Sequence, residues 1–190
     1  MNGLRKTGAA ATALLGAALV ATSLYMPAKA ALAQVLLERA WSRVEAGETN
    51  AKPWPWADMS PLAEIGIPRL HERAIVLEGA SGQAMAFGPG HMPNTPAIGA
   101  RGTAIVAAHR DTQFAMLKEV KTGDVVTAVT RQGRVSFRVV AMRVVKADAS
   151  GIDPADPGPT GARLALVTCW PFGGVFHSAW RYVVIAQRIG

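Results

Sequence analysis

The sequence predicts a small, mainly antiparallel β-barrel that follows an N-terminal membrane helix. Three observations predict it. Short apolar runs with strand-like composition follow one another after residue 60, and most are joined by connections short enough for hairpins. Little helical periodicity interrupts them, which favours a barrel over a mixed α/β fold. A long uncharged stretch near the N-terminus predicts the membrane helix.

The uncharged stretch covers residues 8–26, and Arg5 and Lys6 precede it. At about 1.5 Å per residue, a helix of this length nearly spans the ~30 Å hydrocarbon core of a bilayer. Basic residues on its N-terminal side predict that the rest of the chain faces away from the cytoplasm. The Ala-Lys-Ala tripeptide at residues 28–30 leaves a cleaved signal peptide as the alternative.

A retained anchor is favoured because helical spacing continues past Pro27 to Glu45. Leu32, Leu36 and Trp41 are predicted to form the apolar stripe of this helix. The predicted division is residues 1–50 as membrane anchor and helical stalk, 51–60 as a Pro/Trp linker, and 61–190 as the barrel. Strands are predicted at residues 74–78, 83–87, 103–108, 125–130, 135–145, 164–169 and 179–185, with a helical turn at 114–120 and a long loop at 148–161.

The charge of the chain excludes few function classes. Its formal net charge is +7, but the basic residues are scattered and no nucleic-acid-binding motif is present, so no nucleic acid partner is expected. Attraction to an anionic membrane surface explains the excess. The single cysteine, Cys169, cannot form an intramolecular disulfide, which favours a reactive role for its thiol.

Three polar residues interrupt or end apolar strands. Cys169 ends one run, His109 follows another, and Arg181 lies inside the last. A side chain at a strand end meets solvent while the sheet fixes its position. Cys, His and Arg together indicate a thiolate nucleophile, a proton donor and acceptor, and a cationic stabiliser. If the last two strands form a hairpin, Cys169 and Arg181 come close, whereas nothing local connects His109 to them.

The chain resembles the sortases, which are membrane-anchored cysteine transpeptidases. The family signature Thr-Leu-x-Thr-Cys reads Ala-Leu-Val-Thr-Cys at residues 165–169, so its first Thr is replaced by Ala165. Further matching segments are Phe-Gly-Pro-Gly-His (87–91), Ala-His-Arg-Asp (108–111), Gly-Asp (123–124) and Cys-Trp-Pro-Phe (169–172). The last of these and the long anchor helix are similar to the class found in Gram-negative bacteria.

The resemblance implies an eight-stranded sortase-type β-barrel and peptide-bond transfer. Cys169 would attack an LPxTG-like sorting signal near the C-terminus of a secreted protein, and the thioester would pass to an amine or to water. His109 would act as acid and base, Arg181 would bind the carbonyl or oxyanion, and Thr168 would shape the substrate pocket. No cofactor or metal ion is implied. The expected location is the inner membrane, with a single span and the catalytic domain on the periplasmic side.

Two other functions stay open. One is another extracytoplasmic Cys-His enzyme, such as an L,D-transpeptidase, although the Ser-His-Gly-Cys motif of that class is missing before Cys169. The other is a membrane-tethered barrel that acts as an adaptor without catalysis, with Cys169 as a core residue. A metal site that combines His91 and His177 with His109 and Cys169 lacks paired ligand spacing.

Overall fold

The structure is a computed structural model that describes the backbone of residues 2–174, 176 and 178–190. It describes the side chains of these residues except 2–15, 17, 18, 21, 26 and 27. The described chain divides into two compact units, of which the first ends at Leu36 and the second comprises Leu37–Gly190.

Helix α1 comprises Asn2–Glu45 and continues through the position of Pro27. It ends just before Gly47, whose φ of 97° belongs to the left-handed region that glycine adopts without strain. Among the residues that the structure describes, no helix is both long enough and apolar enough to cross a membrane. Most side chains of the predicted span 8–26 lie outside the described part of the chain, and the anchor stays a prediction.

The predicted apolar stripe of α1 is right at Trp41, which is 4% exposed, and wrong at Leu32. Leu32 is 59% exposed, whereas the helix buries residues at the i, i+3, i+4 and i+7 positions of a different face. Leu37 packs with Met59 and Leu77, and Trp41 and Val44 pack in a second small cluster. The buried set on this last part of the helix is Leu37, Ala40, Trp41 and Val44.

Eight strands close into a barrel in the order β1-β2-β3-β4-β7-β8-β6-β5. Their bounds are β1 Pro61–Ile67, β2 Glu72–Glu78, β3 Gly90–His91, β4 Gly102–Ala107, β5 Val125–Thr130, β6 Gly133–Lys146, β7 Ala162–Cys169 and β8 Trp180–Ile189. Most neighbours pair antiparallel, as predicted, but β2 with β3 and β4 with β7 are parallel. A parallel pair needs a long crossover connection. The short connections from which hairpins were predicted therefore gave no indication that β4 pairs with β7.

Buried and more exposed side chains alternate along the strands and define an inner and an outer face of the barrel. Alternate side chains of each strand point inward, and the inner set is almost fully buried. Burying one large aliphatic or aromatic side chain stabilises the fold by about 1.5–3 kcal/mol. The inner face is formed by Ala63, Ile65, Ile67, Val76, Ala104, Val106, Ala108, Val126, Ala128, Phe137, Val139, Leu164, Leu166, Val184 and Ala186.

Two segments differ from their predictions. No strand was predicted before residue 74, but β1 begins at Pro61 and turns Ala63, Ile65 and Ile67 inward. Pro is tolerated at the first residue of a strand, where a ladder hydrogen bond is not required. The strand predicted at 83–87 is instead the short helix α2, Gly82–Met85, because the Ser81 hydroxyl caps it by accepting a bond from the Ala84 amide.

An ion pair anchors the segment between β4 and β5. This segment contains the predicted helical turn, a 3-10 helix at Ala115–Glu119. Arg69 donates from Nε to Asp124 Oδ1 at 2.6 Å and from Nη2 to Oδ2 at 2.8 Å. The hydrogen bond from Arg69 holds the pKa of the largely buried Asp124 carboxyl below its usual value, so the carboxylate stays ionised to lower pH. The pair fixes the C-terminal end of the segment that starts at His109.

Candidate active site at the ends of three strands

Cys169 is the last residue of β7, between β4 on one side and β8 on the other. Leu164 and Leu166 point into the barrel, and the two-residue period turns Cys169 to the outer face. Its thiol is free and partly exposed. The strand end therefore presents the thiol to solvent, while the barrel interior holds its backbone.

Arg181 lies directly opposite Cys169 in the antiparallel β7–β8 ladder. The next pair along, Trp170 and Trp180, carries a backbone hydrogen bond of 3.1 Å. Cys169 and Arg181 therefore form a non-hydrogen-bonded pair, in which the Cα atoms are about 4.5 Å apart and the side chains approach most closely. The hairpin expected from the sequence is present, and it brings these two residues together.

The Arg181 guanidinium is held by the backbone of the β7–β8 connection. Its Nη1 donates to the Ser178 carbonyl at 2.6 Å and to the Trp180 carbonyl at 3.0 Å. These bonds fix the fork of donors at the strand end. Within the described residues, no hydrogen bond joins the guanidinium to Cys169.

His109 follows β4 by two residues and is exposed. The parallel register pairs Ala107 with Val167 and continues through a bond from the Ala108 amide to the Val167 carbonyl at 3.1 Å. If the same register continues past the end of β4, His109 is level with Cys169. The parallel crossover thus connects two residues that no local pattern in the sequence relates.

Thr168 braces the same two strands from the inner side. It is 2% exposed, and its Oγ1 donates to the Ala108 carbonyl at 2.7 Å. The bond ties β7 to β4 one residue before Cys169 and His109. Its side chain lies on the opposite face of β7 from the thiol, and the contact with a substrate that the resemblance implies for it stays a prediction.

Arg110 is the site-adjacent residue that sequence reasoning missed. It is 8% exposed, and its Nη2 donates to the carbonyls of Gly174 and Phe176 in the β7–β8 connection, the latter at 3.3 Å. Its Nε lies 3.3 Å from Asp111 Oδ2. The sequence feature that could have indicated Arg110 is its position directly after an apolar strand and His109.

An aromatic cluster supports the strand ends. Trp170 stacks on Tyr182 with ring centroids 5.7 Å apart, and Phe172 meets both rings edge-on. Burial raises the pKa of the Tyr182 hydroxyl and keeps it neutral. Tyr182 pairs with Thr168 in the ladder, so the cluster stiffens the backbone on both sides of Cys169 and Arg181.

A strip of small apolar side chains leads away from Cys169 along the outer face. Ile105, Ala107 and Val167 lie there and are partly exposed. At its far end a cavity of about 310 Å³ is lined by Thr103, Arg143, Ile152, Asp156, Arg163 and their neighbours. Arg163 lies about 20 Å from Cys169 along β7, at ~3.3 Å per residue, so this cavity is separate from the three candidate residues.

The proposed metal alternative finds no support. Among the residues that the structure describes, no group of three or more His, Cys, Asp or Glu side chains could hold a metal ion. His91 instead contacts the Pro96 carbonyl at 2.9 Å through Nε2. His177 lies outside the described residues.

Comparison with known proteins identifies the same region of the chain. The family model of the Sortase domain matches residues 65–189. Sortase D of Bacillus subtilis (strain 168) is 25% identical over 125 residues, which are 66% of this chain and 62% of that protein. The chain thus spans less than two thirds of the length of this relative.

Solved sortase structures share the fold. Sortase A from Corynebacterium diphtheriae is 23% identical, with a TM-score of 0.62, over 71% of this chain and 63% of that one. A T196V mutant of sortase E from Streptomyces avermitilis is 28% identical, with a TM-score of 0.56, over 68% of this chain and 88% of that one. The eight-stranded barrel predicted from the resemblance is confirmed.

The exposure of Cys169 predicts that it reacts with a charged thiosulfonate in the native protein. The matched control is the double variant Cys169→Ser/Thr168→Cys, which moves the only thiol to the neighbouring buried position. If exposing that thiol needs a local opening of about 3 kcal/mol, labelling should slow on the order of a hundredfold. Mass spectrometry of native and denatured samples measures both rates. If Cys169 in the native protein is labelled as slowly as the buried thiol of the control variant, the adaptor with Cys169 as a core residue is favoured.

Proposed function

Because the chain belongs to the sortase family, whose members are cysteine transpeptidases, we propose that it cleaves a sorting signal and transfers the acyl group. The signal is of the LPxTG type, near the C-terminus of a secreted protein, and the acceptor is an amine or water. The observation that carries the proposal is the cross-strand pair of Cys169 and Arg181, with His109 two residues after the end of the neighbouring strand β4.

Cys169 is the proposed nucleophile. Its thiolate attacks the carbonyl carbon of the scissile peptide bond, the C–N bond breaks, and a thioester forms. His109 donates a proton to the departing amine and later takes one from the incoming amine or water. The exposure of both residues supports these roles, because each must reach a substrate that arrives from solvent.

Arg181 is the proposed stabiliser of the carbonyl oxygen as it gains negative charge. The guanidinium carries five donors in a fixed fork, and its bonds to Ser178 and Trp180 use Nη1 alone. A preorganised cation needs no rearrangement as charge develops. The closeness of the Cys169–Arg181 pair supports a donor within reach of an oxygen on the attacked carbon.

The outer strip of Ile105, Ala107 and Val167 is the proposed surface for the apolar residues of the signal. The strip runs along the strands towards Cys169, and an extended peptide laid on it covers about 3.3 Å per residue. The small size of Ala107 leaves room for a proline ring. Apolar side chains on this strip would hold the scissile bond near the thiol.

The proposal predicts a covalent adduct on Cys169. Incubating the protein with an LPxTG-type peptide should add the mass of the acyl fragment, and mild hydroxylamine should remove it, since a thioester is cleaved by this amine. Cys169→Ala should show no adduct. A turnover by Cys169→Ala equal to that of the wild type would refute the mechanism, and labelling of Cys169 without any peptide adduct would point to another Cys-His enzyme.

Replacing Arg181 separates a directed donor from a general positive charge. Arg181→Lys keeps the charge but loses the fork, so kcat/KM should fall on the order of a hundredfold, the usual cost of one lost oxyanion donor. The matched control is Arg188→Lys on the same strand, where the guanidinium donates to the Gly99 carbonyl at 3.2 Å. Melting curves of both variants accompany the kinetics. A loss that tracks unfolding, or no loss at all, would remove Arg181 from the mechanism.

Membrane anchoring through residues 8–26 is also part of the proposal, with the barrel on the periplasmic side of the inner membrane. The uncharged stretch and the preceding Arg5 and Lys6 support it, and so does the uninterrupted backbone of α1 through residues 28–30. Assignment to the Gram-negative class rests on the Cys-Trp-Pro-Phe segment and stays a prediction.

The anchor predicts that the full-length protein stays in the membrane pellet after alkaline carbonate extraction. The double variant Gly16→Arg/Leu19→Arg should move to the supernatant, because each arginine near the bilayer centre costs about 2.5–3.5 kcal/mol. Val140→Arg/Val144→Arg on exposed positions of β6 is the control with the same added charge. A soluble mature protein that begins at Ala31 would establish the cleaved signal peptide instead.

A further inference from the structure

The guanidinium of Arg110 is a buried charge that the reaction described above does not use. The residue is 8% exposed, yet its one carboxylate neighbour, Asp111, is itself largely exposed. Nη1 has no hydrogen-bond partner among the described residues. Burying a charge with incomplete pairing costs stability, and an apolar residue of similar volume would be the more stable choice. A role beyond stability explains why it is here.

The contacts of Arg110 all lie at the site. Its Nη2 donates to the carbonyls of Gly174 and Phe176, which belong to the connection 170–179. This connection begins after Cys169 and ends just before Arg181. Arg110 itself follows His109 directly. One side chain therefore joins the end of β4 to the segment between the other two candidate residues.

Two arginines bind backbone carbonyls at different points along this part of the chain. Arg110 binds its middle, and Arg181 binds the carbonyls of Ser178 and Trp180. The Arg181 bonds lie at the strand end and leave the middle of the connection to Arg110. We propose that Arg110 is a positioning residue, which clamps Gly174 and Phe176 to the end of β4 and thereby holds His109 and Arg181 in place beside Cys169.

Gly174 is the complementary half of the clamp. A Cβ atom on this residue would lie 3.2 Å from both Nη1 and Nη2 of Arg110 and 3.1 Å from the Pro171 carbonyl oxygen. These distances are shorter than ordinary van der Waals contact, so a methyl group here would push the guanidinium away by a few tenths of an ångström. Gly174 does not have a positive φ, so its replacement by alanine disturbs the contact without straining the backbone.

Limited proteolysis tests the clamp without relying on the proposed function. Phe176 is 84% exposed, and chymotrypsin cleavage after it releases the fragment 177–190. Losing two hydrogen bonds from a charged group should raise this cleavage rate on the order of tenfold in Arg110→Met. Arg188→Met, which removes a comparable arginine-to-carbonyl bond on the far end of β8, should cleave as the wild type does. Melting curves of the variants test whether the rest of the chain stays folded.

Gly174→Ala supplies a second variant that keeps Arg110 in place. It should accelerate the same cleavage, and the double variant Arg110→Met/Gly174→Ala should cleave no faster than the faster single variant, since both remove one contact. Gly82→Ala is the control, because a Cβ there meets nothing within 4 Å. Full additivity of the two changes would overturn the clamp, as would a wild-type cleavage rate in both single variants.

The consequence for catalysis rests on the proposed function and is measured separately. A misplacement of about 1 Å at reacting groups costs on the order of a hundredfold, so kcat should fall by this factor in Arg110→Met and in Gly174→Ala. The rate at which iodoacetamide alkylates Cys169 should stay near the wild-type value, because the thiol itself is not moved. Arg110→Lys should restore little of the lost kcat, since one ammonium group cannot bind both carbonyls as the guanidinium does.

The outcomes distinguish the two proposals. If the wild type forms no peptide adduct while the cleavage pattern is as expected, the proposed function fails and the clamp stands. If peptide transfer is active but kcat in both variants equals that of the wild type, Arg110 does not position the site. A fall in kcat that follows the melting temperature, with Cys169 alkylation changed in parallel, would likewise reduce Arg110 to a structural residue.

Discussion

The parallel pairing of β4 with β7 is the constraint on which the site depends. Six residue pairs from Gly102 to Ala107 set its register, and the Ala108 amide and the Thr168 hydroxyl extend it to the strand ends. A slip by one residue would turn Cys169 to the inner face and move His109 out of line. The chemistry of the strand ends is therefore determined by hydrogen bonds between segments that are far apart in the sequence.

The two faces of β7 perform different tasks in the same eight residues. Leu164, Leu166 and Thr168 fill or brace the interior, while Val167 and Cys169 meet solvent. Leu164 and Leu166 are fully buried, and close packing of this kind resists a shift of the strand. A rigid interior thus supplies the preorganisation that a stabilised transition state requires.

Much of this arrangement could be predicted from sequence, and the parts that could not share a physical cause. The short spacing between Cys169 and Arg181 indicated their hairpin, since antiparallel neighbours along the chain pair locally. The position of His109 beside them depends on a non-local parallel pair, which no periodicity encodes. Arg110 was overlooked because arginine is seldom buried, and only the tertiary structure supplies the carbonyls that surround it. The strand predicted at 83–87 was wrong because a capping serine starts helix α2 there. Leu32 was wrongly placed in the apolar stripe of α1 because packing, and not the local apolar pattern, selects the buried face of the helix.

The long connection at residues 147–161 has an evolutionary consequence. It enters β7 at Ala162, the end of the strand opposite Cys169, and the β4–β7 register is set by the strands themselves. Insertions or deletions in this connection would leave the reacting groups in place, because loop length adds little free-energy cost when both ends are already anchored. Variation in this connection can therefore remodel the cavity beside Arg163 while the register of β4 with β7 is inherited unchanged.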